Sequence, residues 1–510
     1  MSLPRHATAA ALAGALLAAP AASPRARTLS GSEQLSAVYA QILNTRFDRA
    51  QTALASACGP APREACQVLD ATTTWWRILI NPDDTSLDEE FQRRVSNAIA
   101  STEQWASRQP ESAEAWFYLG AAYGARVSWR VQRKEHLAAA RDGKRIKEAL
   151  ERALSLDENL SDARFGIGLY KYYAAIAPAV ARFFRFLFLL PGGDREEGLS
   201  DMEAVHTQGV LLRGEADYQL HWIYLWYENQ PRRALELLRG LAAQYPSNPH
   251  FVERVAETED RYLHDQAASL RTWQTLIDRA PQMGDPRLAG TMGRLGAARM
   301  LDGLYETDRA VELLRLVIDS APPAPYGVVA EAHLKLGQMQ DRLGDRGAAV
   351  LAYNAALGSA PSRDPHGIAT AARAGIRRVP ADLAAAQAYR LSLTGWRAFE
   401  RGALDQADRA LAGAATAAPS DTVIRVRLAR VRAARKETAA ALAEFDRLIA
   451  MRPAASPIAL GAAYLWSAEI LEQQGRKDVA LARYRAVNRI FGTDSRLIVT
   501  AAKAIARLSH

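Results

Sequence analysis

The chain has 510 residues, of which 49% are hydrophobic and 24% charged, a balance typical of several globular domains or of one long repeat array. Its formal net charge is +8, but no basic run alternates with aromatic residues, so the sequence indicates no nucleic-acid partner. The metal-ligand, phosphate-loop, nucleophile-elbow and dinucleotide-glycine patterns of common enzymes are absent from the sequence. We therefore predict a protein that is not an enzyme, with no catalytic residue, no cofactor and no metal.

The N-terminal segment predicts export. Arg5 and His6 precede a short apolar run over residues 7–19, and the Ala-Pro-Ala sequence at 19–21 offers the small residues that a signal peptidase requires. The apolar run is too short to cross a bilayer, and the alternative is an alanine-rich helix of the mature protein. We expect residues 1–21 to be a signal peptide and the mature protein to be periplasmic or extracellular, free or associated with the cell envelope.

Two cysteines, Cys58 and Cys66, follow in the first mature segment, separated by residues that favour a turn, including Gly59, Pro60 and Pro62. If helices flank this turn, the two thiols can form a disulfide that joins a helical hairpin in an oxidising compartment. Two reduced structural cysteines are the alternative. The sequence predicts an N-terminal helical hairpin region over residues 22–110 with a Cys58–Cys66 disulfide.

A strongly apolar stretch at residues 174–190 interrupts the modest apolar stripes of the chain. It is shorter than the roughly 20 residues that span a bilayer, and it contains Arg182 and Arg185, which oppose a transmembrane position. Its core, Phe183–Leu190, carries apolar residues all round a helix, as a buried helix does. We favour a core helix, and the alternative is a surface that contacts lipid or an integral membrane partner.

Throughout the chain, apolar residues recur at intervals of three and four in segments broken by Gly, Pro, Asn or Asp, which predicts an all-α protein. Several of these segments end in proline at intervals of 34 to 58 residues, namely at Pro246, Pro281, Pro322, Pro361, Pro419 and Pro453. A helix-turn-helix unit of about 34 residues with insertions explains these intervals. The longest interval indicates an extra partial unit around residues 369–386.

One unit, AEAHLKLGQMQDRLGDRGAAVLAYNAALGSAP, is the best defined. It has Leu336, Gly337, Ala349, Tyr353 and Pro361 at the offsets of the tetratricopeptide repeat family. The chain resembles this family from residue 111 to its C-terminus. Small residues let two antiparallel helices approach closely, and an aromatic side chain such as Tyr353 fills the gap to the next unit.

The resemblance implies helix-turn-helix repeats that stack in a right-handed superhelical solenoid and a protein that binds other proteins. We expect an irregular region with insertions over residues 111–281 and a regular array over residues 282–510. Residues 183–251 are also similar to the tetratricopeptide-domain 39 family, which implies a helical-repeat protein without enzymatic activity.

The geometry of tetratricopeptide repeats assigns the partner-binding residues to the concave surface of the solenoid. The candidates are arginine, aromatic and amide side chains, namely Trp226, Tyr227, Arg254, Arg261, Tyr262, Arg299, Gln338, Arg342, Trp396 and Arg430. Arginines and aromatic rings in a groove suit an extended or helical acidic peptide, although each of these residues can also be an ordinary solvated side chain. We predict an exported, non-enzymatic scaffold for a protein or peptide partner. The alternative is a cell-envelope factor that makes peripheral membrane contact through residues 174–190.

Overall fold

The computed structural model describes residues 29–176, 192–379, 382–452 and 454–509. The predicted signal peptide and most of the apolar stretch at 174–190 lie outside these residues. The described part is all-α, as predicted, with no strand and 24 helices. In chain order the helices are α1 (Ser32–Leu43), α2 (Phe47–Ala57), α3 (Arg63–Leu79), α4 (Asp88–Arg108), α5 (Ala113–Gln132), α6 (His136–Leu156), α7 (Arg164–Ile176), α8 (Arg195–Gln208), α9 (Arg213–Trp226), α10 (Pro231–Gln244), α11 (Pro249–Glu257), α12 (Gln266–Arg279), α13 (Pro286–Gly303), α14 (Thr307–Ser320), α15 (Val328–Arg342), α16 (Arg346–Ser359), α17 (Ile368–Arg377), α18 (Leu383–Glu400), α19 (Leu404–Ala417), α20 (Thr422–Ala434), α21 (Thr438–Ala450), α22 (Pro457–Gln473), α23 (Lys477–Val487) and α24 (Ser495–Leu508).

Consecutive helices pack as antiparallel hairpins from α1/α2 to α15/α16 and again from α18/α19 to α22/α23. Helix α24 packs on the last hairpin, and α17 packs on α16 without a partner of its own. This single helix lies where the proline spacing indicates a partial unit. The domain boundaries predicted after residues 110 and 281 both fall between hairpins, and they stay predictions.

The hairpin α15/α16 has the packing that its residues predict. Tyr353, Ala349 and Ala356 are buried, and the Tyr353 ring lies against Gly337, where a Cβ atom would come within 2.6 Å of it. A larger residue at 337 would therefore push the two helices apart. The phenol hydroxyl of Tyr353 donates a hydrogen bond to Asp341 at 2.9 Å, which satisfies its buried polar atom.

The predicted disulfide is present. Cys58 ends α2 and Cys66 lies in the first turn of α3, and their sulfur atoms are bonded, with Cα atoms 6.0 Å apart. Because the bond closes the connection between two packed helices, it restricts the unfolded chain at this point.

The first hairpins pack against α9–α11 rather than standing free. The indole ring of Trp76 on α3 lies 5.5 Å from the ring of Tyr218 and 5.8 Å from that of Phe251. The amide of Asn248 donates to the carbonyl of Leu43 at 2.8 Å. These contacts bring residues that are more than 140 positions apart into one hydrophobic core.

Beyond α17 the chain folds back. We name α11–α16 the central array, α18–α24 the C-terminal array, and the line of contact between them the seam. Along the seam Asp265 accepts a hydrogen bond from the backbone of Ser495 at 2.9 Å, and the Tyr305 hydroxyl donates to Asp421 at 2.9 Å. Asp265 precedes Tyr305 in the central array, whereas its partner Ser495 follows Asp421 in the C-terminal array. The two arrays therefore run antiparallel along the seam.

Two turns at the seam carry strained residues. Tyr305 and His264 have φ angles of 61° and 54°, in the left-handed region, whereas Gly402 and Gly475 occupy the corresponding turns that face open space. A side chain in this region costs on the order of 1–2 kcal/mol. His264 and Tyr305 both contact the C-terminal array, the former through the ring of Phe491 at 5.3 Å. The strain therefore coincides with contacts that a glycine could not make.

A buried carboxyl group lies where α9 meets α1. Glu215 is 9% exposed, accepts a hydrogen bond from the Tyr39 hydroxyl at 2.8 Å and has no cationic partner among the described residues. Burial raises the pKa of Glu215 above its ordinary value. The folded protein therefore binds this proton more tightly than the unfolded chain, and stability is lost as pH rises through the folded-state pKa.

We expect Glu215→Gln to stabilise the protein by about 1 kcal/mol at pH 7.5 and to have little effect near pH 4. Glutamine keeps an acceptor for Tyr39 without a charge to bury. Urea unfolding at the two pH values measures the difference. Loss of stability at pH 7.5 would mean that the ionised carboxylate is the stabilising form.

Glu253→Gln is the matched control, with the opposite sign. Burial acts to raise the pKa of Glu253, but the charge of Arg254 and a hydrogen bond from His250 outweigh it and lower this pKa. Its stabilising contribution is present at neutral pH and lost as pH falls. Glu253→Gln should therefore destabilise the protein at pH 7.5, with the effect fading in acid.

Candidate interaction surface

Four aromatic side chains form a surface at the ends of the first helices of three successive hairpins. Tyr173 lies in the last turn of α7, Trp226 and Tyr227 end α9, and Tyr262 ends the π-helical turn that follows α11. Trp226 is 56% exposed, Tyr227 46% and Tyr173 36%. We name these four residues the aromatic ledge. Exposed aromatic rings grouped in this way are characteristic of binding surfaces.

The rings of the ledge are held in place by contacts among themselves. The indole N–H of Trp226 donates to the hydroxyl of Tyr262 at 2.6 Å, which links α9 to α11. The rings of Tyr173 and Tyr227 meet edge to face with centroids 5.7 Å apart, which links α7 to α9. Beneath the ledge, Trp222 lies against Trp226 with centroids 4.2 Å apart. The ledge is therefore a rigid surface whose aromatic faces are ready for contact.

The arginines beside the ledge are neutralised by carboxylates. Arg254 is held between Glu253 at 3.2 Å and Glu257 at 2.6 Å, and its guanidinium lies 5.7 Å from the ring centroid of Trp222. Arg261 also pairs with Glu257, at 3.3 Å. Each guanidinium therefore already has a carboxylate partner within the protein.

The structure brings five of the residues predicted from sequence together at this place, namely Trp226, Tyr227, Arg254, Arg261 and Tyr262. The other five lie farther along the chain. Which of the ten bind a partner stays a prediction.

Three of these five belong to the central array, namely Arg299, Gln338 and Arg342. Arg299 lies over the ring of Trp273, with 6.0 Å from its guanidinium carbon to the ring centroid. Gln338 is exposed on α15.

Arg342 ends α15, and the remaining two residues, Trp396 and Arg430, lie on the C-terminal array. Arg342 pairs with Asp302 at 2.9 Å. The ring of Trp396 lies 5.0 Å from that of Phe399. Arg430 lies 4.9 Å over the ring centroid of Trp466. Three of the five predicted arginines, Arg254, Arg299 and Arg430, thus stack on a tryptophan, an arrangement that favours packing between neighbouring hairpins.

Two cavities flank the Tyr305–Asp421 contact at the seam. The larger, about 480 Å³, is lined by both arrays, with His264 and Gln266 on one side and Thr422 on the other. The smaller, about 310 Å³, is lined in part by Arg342. Asp421 lines both cavities, and its carboxylate already accepts hydrogen bonds from the backbone of α20 and from the Tyr305 hydroxyl.

Sequence reasoning did not identify Tyr173 or Arg427. Tyr173 precedes the apolar stretch in the sequence and gives no sign of its contact with Tyr227. Arg427 lies one helical turn before Arg430 and is 5% exposed, with hydrogen bonds to the carbonyls of Leu304 and Tyr305. The aromatic residues around Trp226 were the usable signal for the ledge, whereas nothing local distinguished Arg427 from its exposed neighbours.

Stacked antiparallel hairpins with small residues at the helix crossing define a helical-repeat protein, of the type that serves as a scaffold for protein–protein interaction. Residues 330–363, which include the hairpin α15/α16, match the family model "Tetratricopeptide repeat". The chain therefore contains a tetratricopeptide repeat at this hairpin. No curated protein is similar enough in sequence to match it.

Among solved structures, the chain is 15% identical to a tetratricopeptide repeat protein from Parabacteroides merdae, with 57% of this chain and 98% of that chain covered and a TM-score of 0.25. A Rap protein complexed with the competence and sporulation factor is 12% identical, covering 93% and 99%, with a TM-score of 0.33. The apo form of RapI is 12% identical, covering 94% and 98%, with a TM-score of 0.31. These likenesses are too distant to carry any argument about a ligand.

None of the helices in the described part of the chain is both long and apolar enough to cross a membrane.

Proposed function

We propose that the protein is an exported, non-enzymatic scaffold that binds a protein partner through the aromatic ledge and the helices that carry it, α7, α9 and α11. The observation that carries this proposal is the grouping of Tyr173, Trp226, Tyr227 and Tyr262 on three successive hairpins, with three of the rings more than one-third exposed. Exposed aromatic anchors dominate the energetics of protein interfaces. The Cys58–Cys66 disulfide is consistent with an oxidising compartment and supports the export part of the proposal.

Crosslinking capture from native cell envelopes tests the proposal. Mature protein is compared with the double variant Trp226→Ala/Tyr227→Ala and with Leu351→Ala, which removes a still more exposed apolar side chain from α16. We expect one partner to be captured by the wild type and by Leu351→Ala, and lost with the double variant. Equal circular dichroism spectra exclude loss of fold as the cause. Capture that does not depend on the ledge would refute the proposed surface.

A second candidate is a cell-envelope factor that contacts lipid or an integral membrane partner. Helices α7 and α8 pack as a hairpin, and Gly193 lies against the backbone of Lys171 and Ala175. The described residues on either side of the apolar sequence 177–191 therefore lie close together, and that sequence falls between the two helices of one hairpin. This observation favours a role outside the repeat core.

Flotation with vesicles of mixed zwitterionic and anionic lipid separates the two candidates. The full mature chain is compared with a variant in which Phe184, Phe186 and Phe188 are replaced by serine. Association that persists in high salt and is lost in this variant would favour the membrane candidate. Absence of association, together with ledge-dependent capture, would favour the scaffold.

A further inference from the structure

The positive charge of the protein is concentrated in the C-terminal array. Residues 382–509 carry 20 basic and 12 acidic side chains, which equals the whole formal net charge of +8. Several arginines of this array pair with carboxylates, as Arg483 does with Asp446 and Arg507 with Glu472. The cations without such a partner therefore decide where an anionic ligand is attracted.

Four cations without a carboxylate partner lie at the last two helices. Arg485 is on α23 and Arg489 lies four positions later, just beyond its end, and both are exposed. Arg496 and Lys503 are exposed on α24, seven positions apart, so they share one face of that helix. These four residues form no ion pair within the described part of the chain, unlike Arg483 and Arg507 on the same helices. We name these four residues the basic end face.

The packing of α24 turns its basic side outwards. Ala501 and Ala504 are buried in the core that α24 forms with α22 and α23. Val499, on the opposite side of the helix, is 52% exposed. Phe491, in the turn that joins α23 to α24, is 63% exposed. Exposed apolar side chains therefore lie beside the cations of the basic end face.

This combination fits an anionic bilayer surface better than an acidic protein. A cluster of about four to eight Lys and Arg residues on an amphipathic helix is characteristic of binding to anionic headgroups, and neighbouring apolar side chains can enter the headgroup region. Lysine, in contrast, is depleted in protein interfaces. The two cavities at the seam are lined by other residues, so neither of them gives the basic end face a pocket for a peptide side chain.

We propose that the basic end face binds the anionic headgroups of a bilayer and holds the C-terminal end of the scaffold at the membrane surface. The attraction is electrostatic, because its four cations have no carboxylate partner in the protein, and salt therefore weakens it. This inference goes beyond the proposed function, since it concerns α23 and α24 and neither needs nor replaces the aromatic ledge.

Cosedimentation with vesicles tests the proposal. Vesicles of phosphatidylcholine alone are compared with vesicles that also contain phosphatidylglycerol, each at low and at high salt. Mature wild-type protein is compared with three charge-reversal variants of equal circular dichroism spectrum. Two of them change the basic end face on separate helices, so that each covers the case in which the other perturbs the fold, namely Arg485→Glu/Arg489→Glu and Arg496→Glu/Lys503→Glu.

The third variant, Arg401→Glu/Arg409→Glu, is the matched control. Arg401 and Arg409 are exposed in the same array and form no ion pair with the described residues. Reversing them changes the net charge by the same amount as each of the other variants, but leaves the basic end face intact. The control therefore separates a local site from a general attraction of the basic array.

We expect binding to the phosphatidylglycerol vesicles at low salt, none to phosphatidylcholine alone, and loss at high salt. Either end-face variant should reduce the affinity at least about tenfold, whereas the control variant should bind as the wild type does. Equal weakening by the control, equal binding to both kinds of vesicle, or no binding would overturn the inference.

Two further outcomes would also overturn it and identify the alternative. Vesicle binding that is lost only when Phe184, Phe186 and Phe188 are replaced by serine would assign the membrane contact to the apolar stretch. Binding of polyglutamate through the basic end face, without binding to vesicles, would identify an acidic protein as the ligand. Ledge-dependent capture of a partner would uphold the scaffold in each case.

Discussion

Arg254→Ala is expected to destabilise the protein by about 3 kcal/mol, the effect of removing one member of a buried ion pair. The side chain of Arg254 is 20% exposed, and it separates the carboxylates of Glu253 and Glu257. Without the guanidinium, two like charges remain close together in a partly buried place, and the face of Trp222 loses its cation. Chemical denaturation of the mature protein at neutral pH measures the loss.

Arg261→Ala is the matched control for this prediction. Arg261 pairs with the same Glu257, but its side chain is 59% exposed, so water screens the interaction. We expect less than about 1 kcal/mol from this change. If the two substitutions cost the same, Arg254 is a solvated groove residue after all, and the ion-pair account of its position is wrong.

The repeat fold could be predicted from the sequence because each hairpin satisfies its packing locally. Gly337 and Tyr353 are 16 positions apart and meet within one helix pair, so their spacing alone reports the contact. The disulfide is equally local, with a sequence separation of 8. Patterns of this length are visible without knowing how the hairpins assemble.

The candidate site was only partly predictable, because its chemistry depends on contacts between hairpins. Trp226 and Tyr227 were found through local aromatic density, but the position of Arg254 over Trp222 follows from how α9 and α11 are placed together. The pairs of Arg254 with Glu253 and Glu257 lie within α11 itself and were overlooked. The seam was not predictable at all. Asp265 and Ser495 are 230 positions apart, and no periodicity in the sequence connects them.

Arg427→Leu is expected to weaken the seam by about 2–3 kcal/mol. Arg427 is buried on α20 and donates hydrogen bonds to the carbonyl oxygens of Tyr305 at 2.9 Å and Leu304 at 3.3 Å. Burial lowers the pKa of Arg427 to about 10, so the guanidinium stays charged at neutral pH. Leucine fills similar space but leaves two carbonyl groups without a donor, and a buried acceptor without a partner is costly.

The consequence should be local, because Arg427 joins the turn at Tyr305 to the C-terminal array rather than holding either array together. Limited proteolysis should therefore cut the Arg427→Leu variant faster between residues 361 and 382, where the chain folds back, while urea unfolding gains an early transition. Arg430→Leu, on the same helix but 39% exposed, should change neither measurement appreciably. If the Arg427→Leu variant instead unfolds in a single cooperative transition, at the same urea midpoint as the wild type, the seam does not depend on this residue. The strained turn at Tyr305 would then be held by its contacts with Asp421 and with the ring of Tyr389.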